Sequence, residues 1–420
     1  MQKDNGYSTT EIVETILNRL NSSTRGKKSG QYTYVIGNNG TGKSRILGEL
    51  AERLKKVRSD RVVACIASTV HDRFVYGEHK TVIYMGARNS SNAVFLSAID
   101  RQLAKYILQA MRLDRRLLRY LLEAVNMNLS FSIGEKSIET ILNPPGKATR
   151  DSNRITKRAA DLGLLSPRPI AMLRRITEGN GRFEQLTGAQ IPMLLNYLEL
   201  NIDFTLRIEL AGGEFIGFDE LSTGEQNRLL LFSKILSVMR DGAVFLIDEP
   251  EISLHLHWQM DFHKTLEKLL SRLNRFHVVV ATHSPTIISE AVKVDGNSLD
   301  NMVAVLHREH ETGERLTYAG PGAGSVICKF HNFAEVASHD QLVLRFFQTS
   351  PYQTREVSVE VADAVLSVAE GGIEKSDAVK LLNELRAVIG LSKEAEQQIE
   401  AALVLVKNDL VNSIKMKDAG

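Results

Sequence analysis

The stretch Gly37-Asn38-Asn39-Gly40-Thr41-Gly42-Lys43-Ser44 decides the fold. It fits the pattern G-x-x-x-x-G-K-[ST], in which glycines let backbone N–H groups wrap a phosphate. In this pattern the lysine reaches the β and γ phosphates, and the serine hydroxyl coordinates Mg²⁺ at a helix N-terminus. The apolar, β-branched run Tyr32–Ile36 precedes the loop, and helical spacing follows it from Leu47 to Leu54. The sequence therefore predicts a strand, a phosphate-binding loop and a helix.

A second element is an apolar strand that ends in two carboxylates. The run Val244–Ile247 is followed directly by Asp248 and Glu249. Because the chain turns at the carboxyl end of a strand, both side chains can face a nucleotide. We expect Asp248 to hold Mg²⁺ through water and Glu249 to be the general base that activates the attacking water. Taken alone, the segment fits a solvated acidic strand end equally well, and the phosphate loop upstream favours the catalytic interpretation.

Two further elements point at the γ-phosphate. Leu221-Ser222-Thr223-Gly224-Glu225-Gln226 precedes a strongly apolar helix, so Ser222 and the Gly224 amide, with Glu225 in the same turn, predict an anion site at a helix N-terminus. The alternative is an ordinary serine-capped helix with an acid in its first turn. His283 follows the strand Val278–Val280 and is expected to contact the same phosphate.

The order of these four elements resembles that of the ATP-binding-cassette (ABC) ATPases. The segments Asp248–His255 and Thr282–Pro285 are similar to the D-E-P-E-x-x-L-H and T-H-S-P signatures of the RecF, SMC and OLD-type branch. Cys65–Phe74, followed by Tyr84–Arg88, is similar to a segment of the stand-alone ATPases of Septu and retron antiphage systems.

The resemblance implies a composite ATP site in a head-to-tail homodimer. Lys43, Ser44, Asp248, Glu249 and His283 of one subunit would face Ser222 and Gly224 of a second, with ATP and Mg²⁺ between them. Hydrolysis would yield ADP and phosphate and release the closed dimer.

The sequence departs from the pattern of this family in two places. No glutamine follows the strand 61–67, where a Q-loop is expected. The C-terminus lacks the acidic pattern of the Toprim nuclease that OLD proteins carry.

The remaining pattern predicts the organisation of an α/β protein. We expect a P-loop core of ABC type split into residues 1–93 and 201–330, a helical insertion lobe over 94–200 and a helical C-terminal region over 331–420. Strand signals lie at 61–67, 81–85, 204–210, 243–247 and 276–281, and a late hairpin is predicted from 302–306 and 315–319. The C-terminal region carries no recognisable motif.

Charge is unevenly distributed along the chain. The net charge is +2, yet the segment from Arg101 to Arg182 holds 16 Lys and Arg against 7 acidic residues, which leaves −7 elsewhere. Arg112, Arg115, Arg116 and Arg119 have the spacing of one helix face. A solvated helical surface and a contact with DNA phosphates explain this surplus equally well; an RNA or an acidic protein is a further alternative target.

These observations predict a cytoplasmic switch ATPase. Cys65 and Cys328 are far apart and are expected in the core of a reduced protein, while no secretory signal and no membrane-spanning run is predicted. The favoured setting is antiphage defence, in which the ATPase is a sensor that controls a partner such as an HNH-type nuclease or a toxin. The alternatives are a DNA repair or recombination ATPase that acts on DNA directly, and an ATP-binding scaffold that hydrolyses weakly.

Overall fold

A computed structural model describes most of the chain, in ranges separated by gaps. They are residues 9–22, 29–57, 60–75, 77, 79–86, 99–133, 150–178, 181–200, 204–209, 213–252, 254–296, 298, 300–309, 325–336, 354–388, 391 and 393–407. The chain forms two compact units. The first comprises residues 1–16, 33–46 and 282–420, and the second comprises 17–32 and 47–281.

Helices and strands alternate over most of the described residues. The strands are β1 (Ser29–Gly37), β2 (Val63–Ala67), β3 (Val82–Met85), β4 (Asn128–Ser132), β5 (Thr205–Glu209), β6 (Phe215–Gly217), β7 (Ala243–Asp248), β8 (Arg275–Thr282), β9 (Met302–Glu309) and β10 (Ser325–Asn332). The helices are α1 (Thr9–Ser22), α2 (Lys43–Lys56), α3 (Ile99–Leu113), α4 (Arg116–Val125), α5 (Arg150–Asp161), α6 (Pro167–Glu178), α7 (Gln190–Leu198), α8 (Thr223–Ser237), α9 (Leu256–Leu270), α10 (Pro285–Asp295), α11 (Thr354–Glu370), α12 (Lys375–Arg386) and α13 (Lys393–Lys407).

The second unit is built on parallel strands in the order β8-β7-β2-β3. All residues of β2 and β7 are buried, which is why both appear in the sequence as continuous apolar runs instead of alternating ones. In the register of this sheet Asp248 pairs with Ala67 on one side and Ala281 on the other. The acidic end of β7 thus lies in the middle of the carboxyl edge of these strands.

The region predicted to be a purely helical insertion also contains a strand. β4 pairs antiparallel with β5, which pairs with β6, and the Phe131 ring lies 4.7 Å from that of Phe183 and 5.3 Å from that of Phe204. The apolar residues Leu129, Phe131 and Ile133 are buried and alternate with polar residues, of which Ser130 is also buried. This period-two pattern was present in the sequence and distinguishes β4 from the helices around it.

The four arginines expected on one helix face are divided between two helices. α3 ends at Leu113 and α4 begins at Arg116, so the prediction of one continuous face is wrong. Asp114 causes the break, because its carboxylate accepts the Arg116 main-chain N–H at 2.9 Å and its carbonyl accepts that of Leu117. Both helices contact α8, which follows the predicted anion-binding turn.

In the first unit the C-terminal half of β1 runs parallel to β9, and β10 runs antiparallel to β9. The partner of β9 in the predicted late hairpin is therefore β10, and the segment 315–319 expected for that role lies outside the described residues. Strand β9 begins at Met302 as predicted but continues to Glu309.

The C-terminal helices α11, α12 and α13 pack around a common apolar core, as the helical stripes in this region predicted. Its buried members include Val357, Ala364, Leu382, Ile399 and Val406. Cys65 and Cys328 are buried, each within its own unit, and both are free thiols. Within the described residues, helices of the length and apolarity needed to cross a bilayer are not found.

Candidate functional site

The phosphate loop requires glycine at its first position. Gly37 has a φ of +155°, and a Cβ atom added there would lie 2.6 Å from the Leu306 carbonyl oxygen. Gly42 has a φ of +94°, which side-chain-bearing residues rarely adopt. The Thr41 hydroxyl donates to the Asn38 carbonyl at 2.8 Å and closes the loop from within. Crowding by Leu306 therefore requires glycine at position 37, and the left-handed backbone favours glycine at position 42.

Lys43 lies folded back over this loop. Its ammonium donates to the carbonyl oxygens of Gly37 at 2.8 Å and Asn38 at 3.4 Å, and the residue is only 4% exposed. Helix α2 begins at Lys43, so the N–H groups of its first turn lie at the end of the loop, next to the Lys43 ammonium. This collection of donors is what a polyphosphate requires.

The acidic pair occupies the end of β7. Asp248 is the last strand residue and is 3% exposed. Glu249 leaves the strand in the left-handed region with a φ of +47°, and its N–H donates to the Ala281 carbonyl at 2.9 Å. A left-handed residue other than glycine costs roughly 1–2 kcal/mol and is concentrated at functional sites. The turn expected after Asp248 is thus present, and it is held in a strained form.

The predicted anion-binding turn begins α8 and forms a complete capping box. The Ser222 hydroxyl donates to the Glu225 carboxylate at 2.6 Å, the Ser222 N–H donates to the same carboxylate at 2.9 Å, and the Glu225 N–H donates back to Ser222 Oγ at 3.4 Å. The serine-capped helix considered as an alternative is therefore its local geometry. The two interpretations are compatible at Ser222 and Thr223, which are exposed at the start of the helix, whereas Gly224, whose amide was also predicted to bind the anion, is buried.

Gln226 fixes the chain that leads into this turn. Its side-chain amide donates to the carbonyl oxygens of Leu221 at 3.0 Å and Phe218 at 3.1 Å. These carbonyls belong to the short 3₁₀ turn at 218–220 and the residue after it. Asn227, the next residue, donates to the Ile252 carbonyl at 3.4 Å and so connects α8 to the turn that follows Glu249.

His283, in the first unit, lies between two buried residues that hold its backbone in place. The Ser284 N–H donates to the Thr282 hydroxyl at 2.9 Å, and Ser284 Oγ caps α10 by accepting the Ile287 N–H at 3.3 Å. Pro285 is the first residue of this helix. The imidazole itself is exposed, at the carboxyl end of β8 as predicted.

The structure adds a buried charged network that sequence reasoning missed. The Lys234 ammonium, on α8, is buried and donates to the Ala67 carbonyl at 3.3 Å. Burial lowers the pKa of Lys234 to about 8, against an opposing effect of the Asp72 carboxylate. Asp72 in turn accepts the Tyr84 hydroxyl at 2.9 Å. A single lysine inside the apolar run of α8 was the signal in the sequence that could have revealed this network.

The donor set fits ATP and Mg²⁺. Within the described residues no group of three or more His, Cys, Asp and Glu side chains forms a metal cluster. Mg²⁺ beside a nucleotide does not need one, because phosphate oxygens and water supply most of its ligands. A serine hydroxyl and a buried carboxylate are the kinds of protein ligand that such a site uses. Ser44 offers the first of these groups in the first unit, and Asp248 offers the second in the second unit.

Together, the strand–loop–helix, the parallel strands and the acidic strand end define the class of protein. The fold is an α/β P-loop NTPase core of the ABC-ATPase type with additional helical segments, as the sequence predicted. The sequence profile of a family described as "AAA domain, putative AbiEii toxin, Type IV TA system" matches residues 117–289. This match is less than half of the chain and includes the α8 turn, Asp248, Glu249 and His283. It supports ATP binding and hydrolysis in general terms.

Two individual proteins are also similar to parts of this chain. "Protein ea59" of Escherichia phage lambda is 33% identical over 73 residues, which are 17% of this chain and 14% of that protein. The structure titled "An inward-facing conformation of a putative metal-chelate type ABC transporter" has 15% identity, with 73% of this chain and 86% of the other covered. Its TM-score is 0.24, a value at which the likeness carries no inference.

Proposed function

We propose that this protein is an ABC-type switch ATPase that closes around ATP as a head-to-tail dimer and reopens after hydrolysis. The observation that carries the proposal is the α8 turn. Its motif is that of an ABC signature, it begins a helix, and Ser222 and Thr223 are exposed, so the turn is accessible to a nucleotide bound by a second molecule. The positive end of a helix favours an anion, and the γ-phosphate is the charge lost on hydrolysis.

Each catalytic group has a defined task in this proposal. Lys43 and the loop amides bind the phosphates and neutralise their charge, which is the larger part of catalysis in phosphoryl transfer. Glu249 accepts a proton from the attacking water, and His283 stabilises the γ-phosphate. Ser44 and Asp248 would be the protein ligands of a bound Mg²⁺, which would neutralise negative charge on the phosphates.

Binding of ATP to the Ser222 turn requires a change in the capping box. The Ser222 hydroxyl has a single hydrogen, which it donates in a hydrogen bond of 2.6 Å to the Glu225 carboxylate. To donate to a γ-phosphate the hydroxyl must rotate away from Glu225, while the Ser222 N–H keeps its bond to that carboxylate at 2.9 Å. The turn therefore keeps its shape while its hydroxyl changes partner.

A mixing experiment tests the composite site. Lys43→Ala inactivates the phosphate-loop side of a site and Ser222→Arg inactivates the signature side, so each variant alone is expected to be inactive. In a head-to-tail dimer formed by one chain of each variant, one ATP site combines the Lys43→Ala loop with the Ser222→Arg turn. The other site contains an intact loop and an intact turn. ATPase activity should therefore return on mixing, toward half of the wild-type rate for each mixed dimer. Mixtures that stay inactive at every ratio would exclude a site shared between two chains.

A size measurement tests the same dimer independently. The Glu249→Gln variant should bind ATP without hydrolysing it and so accumulate in the closed state. Size-exclusion chromatography with ATP and Mg²⁺ should show a dimer for this variant, and a monomer for Glu249→Gln combined with Ser222→Arg. A monomer for Glu249→Gln itself would contradict the proposed nucleotide sandwich.

We assign the switch to antiphage defence, where it controls a nuclease or toxin encoded beside it. The similarity of Cys65–Phe74 to a segment of the ATPases of Septu and retron systems supports this setting. Cells that carry the complete locus should restrict phage plating, and cells with Glu249→Gln should lose or misregulate that restriction. Restriction that is unchanged in the variant would favour the scaffold alternative.

The repair alternative makes an opposite prediction. An ATPase that acts directly on DNA should be strongly stimulated by double-stranded DNA without any partner. The defence sensor should instead need its partner or a phage component for stimulation. Turnover measured with the purified protein, with and without DNA, separates the two.

A further inference from the structure

An arginine surface is formed where α4 meets the end of α9 in the second unit. It consists of Arg115, Arg116 and Arg119 from the α4 region, and Lys268 and Arg272 from the end of α9 and the residues after it. The sequence assigned the first three to a basic insertion and gave no reason to join them to the last two. The structure brings these two segments together through Tyr120 and Glu123.

Tyr120 and Glu123 hold the cations in place. The Arg272 guanidinium lies 3.9 Å from the centre of the Tyr120 ring, and that of Arg119 lies 5.5 Å from it. The Glu123 carboxylate contacts Lys268 at 3.3 Å and Arg119 at 3.9 Å. Contacts of this kind contribute little to stability on a surface, but they restrict where the guanidinium groups can point.

The same surface carries a shallow pocket. It has a volume of about 360 Å³, a floor that includes Met111 and Leu118, and a rim of Arg115, Arg116, Arg119 and Glu184. Arg115 also donates to the Leu186 carbonyl, which fixes one side of the rim. Guanidinium groups around an apolar floor suit a ligand that has both phosphates and a flat or apolar body.

The charge of the arginine surface and the distance over which its cations extend indicate whether its ligand is a polymer or a small molecule. The five cations face three carboxylates, those of Asp114, Glu123 and Glu184, so the surface is positive. The α4 cations from Arg116 to Arg119 extend along the helix by about 5 Å, at about 1.5 Å per residue. Lys268 near the end of α9 and Arg272 just after that helix add two further cations that do not line the pocket. One small molecule in the pocket would leave these last two cations unused, whereas a strand with phosphates at intervals would contact all of them.

We propose that the arginine surface binds the sugar–phosphate backbone of a polynucleotide without regard to its sequence. Guanidinium groups contact the phosphates, and the pocket over Met111 and Leu118 receives a base or a sugar from the same strand. This binding goes beyond the proposed ATPase cycle, because its residues lie outside the nucleotide machinery and it needs no ATP.

Anisotropy of a fluorescein-labelled 30-nucleotide single strand tests the proposal in the absence of ATP. The full-length wild-type protein should bind, and its association constant should fall steeply with NaCl between 50 and 200 mM. Arg116→Glu/Arg119→Glu should weaken binding at least tenfold and reduce the slope of log K against log[NaCl] by about 1.4, since each lost contact to a single strand removes about 0.7. Absence of binding by the wild type at 50 mM NaCl would overturn the proposal.

A matched control removes the effect of net charge. Lys380→Glu/Arg386→Glu makes the same change of charge on α12, at two exposed positions outside the basic segment 101–182. It should retain wild-type affinity, and an equal loss in both double variants would show that only the total charge matters and would overturn the assignment. Both variants must retain the wild-type circular dichroism spectrum and ATPase rate, which excludes misfolding.

Competition identifies the ligand more closely. Unlabelled strands of two unrelated sequences should displace the probe equally, and a large difference between them would contradict recognition of the backbone. AMP and inorganic phosphate at 1 mM should leave the probe bound. Displacement by either would mean that the pocket is a site for a small phosphate ligand, which would also overturn the proposal.

Discussion

The main-chain nitrogen of Glu249 donates a hydrogen bond of 2.9 Å to the carbonyl oxygen of Ala281. This bond joins the residue after β7 to β8, two positions before His283. Glu249 is also left-handed at this point, so the bond stabilises the backbone conformation that turns the carboxylate away from the strand. The position of the proposed general base therefore depends on the neighbouring strand as well as on its own.

Replacing Glu249 should separate ATP binding from hydrolysis. We expect Glu249→Gln to lower kcat by roughly 10²- to 10⁴-fold, the contribution of a positioned general base, because glutamine keeps the size but cannot accept the proton. ATP affinity, measured with a fluorescent analogue, should stay within about threefold of wild type. Glu214→Gln, at an exposed position near β6, is the control and should leave both quantities unchanged. A kcat for Glu249→Gln near the wild-type value would remove the residue from catalysis.

Replacing Lys43 should weaken ATP binding, whereas replacing Glu249 should slow hydrolysis and leave ATP binding almost unchanged. Lys43→Ala removes a charged donor that is held over the loop by Gly37 and Asn38. Hydrogen bonds to charged groups are worth about 1.5–3 kcal/mol, so ATP should bind roughly 10- to 100-fold more weakly. Isothermal titration with ATP and Mg²⁺ measures the change. Arg45→Ala, two residues along and exposed, should bind ATP normally, and equal losses in the two variants would argue against a specific role for Lys43.

Gln226 should matter for the shape of the signature turn. Gln226→Leu leaves the Phe218 and Leu221 carbonyl oxygens without their side-chain donor, which should lower the free energy of unfolding by about 2 kcal/mol. The ATPase activity of the variant should fall. Its affinity for ATP should be retained, because the phosphate loop is unchanged. Urea denaturation and a turnover assay measure the two effects, with Gln185→Leu at an exposed position as the control. Unchanged turnover would show that the turn needs no such support.

Lys234 should give the protein an alkaline pH dependence of stability. Its pKa is lowered from 10.5 to about 8 in the folded state, so between these values the unfolded chain binds more protons. The free energy of unfolding should therefore rise with pH in this window, by up to roughly 3 kcal/mol. Below pH 8 Lys234 is protonated in both states and should add no pH dependence. Lys234→Met lacks this dependence, so the difference between the two proteins should change over pH 8–10.5. A constant difference would mean that Lys234 titrates normally.

Much of the fold and site was predictable because the chemistry is local in sequence. The phosphate loop, Asp248 and the α8 turn are each defined by a few adjacent residues whose backbone requirements are strict. Strands β2 and β7 were recognisable because both are buried on two faces and so are apolar throughout.

What sequence reasoning missed depends on contacts between distant residues. β4 was masked by the helical patterns around it, and its identity follows from pairing with β5, more than seventy residues later. The break between α3 and α4 depends on how one aspartate uses its carboxylate. Lys234 and Asp72 come close enough to interact electrostatically only when α8 packs on the strands. Nothing in the sequence around either residue indicates the other.

The pairing of Gly37 with Leu306 has a consequence for how the protein is made. The ribosome completes the phosphate-loop sequence early, but the strand that borders this loop is synthesised some 270 residues later. A nascent chain therefore carries an unsupported loop for most of its translation. We expect fragments that end before Met302 to be unable to retain ATP. On this expectation a chain would enter the proposed nucleotide-dependent cycle only after its synthesis has passed β9.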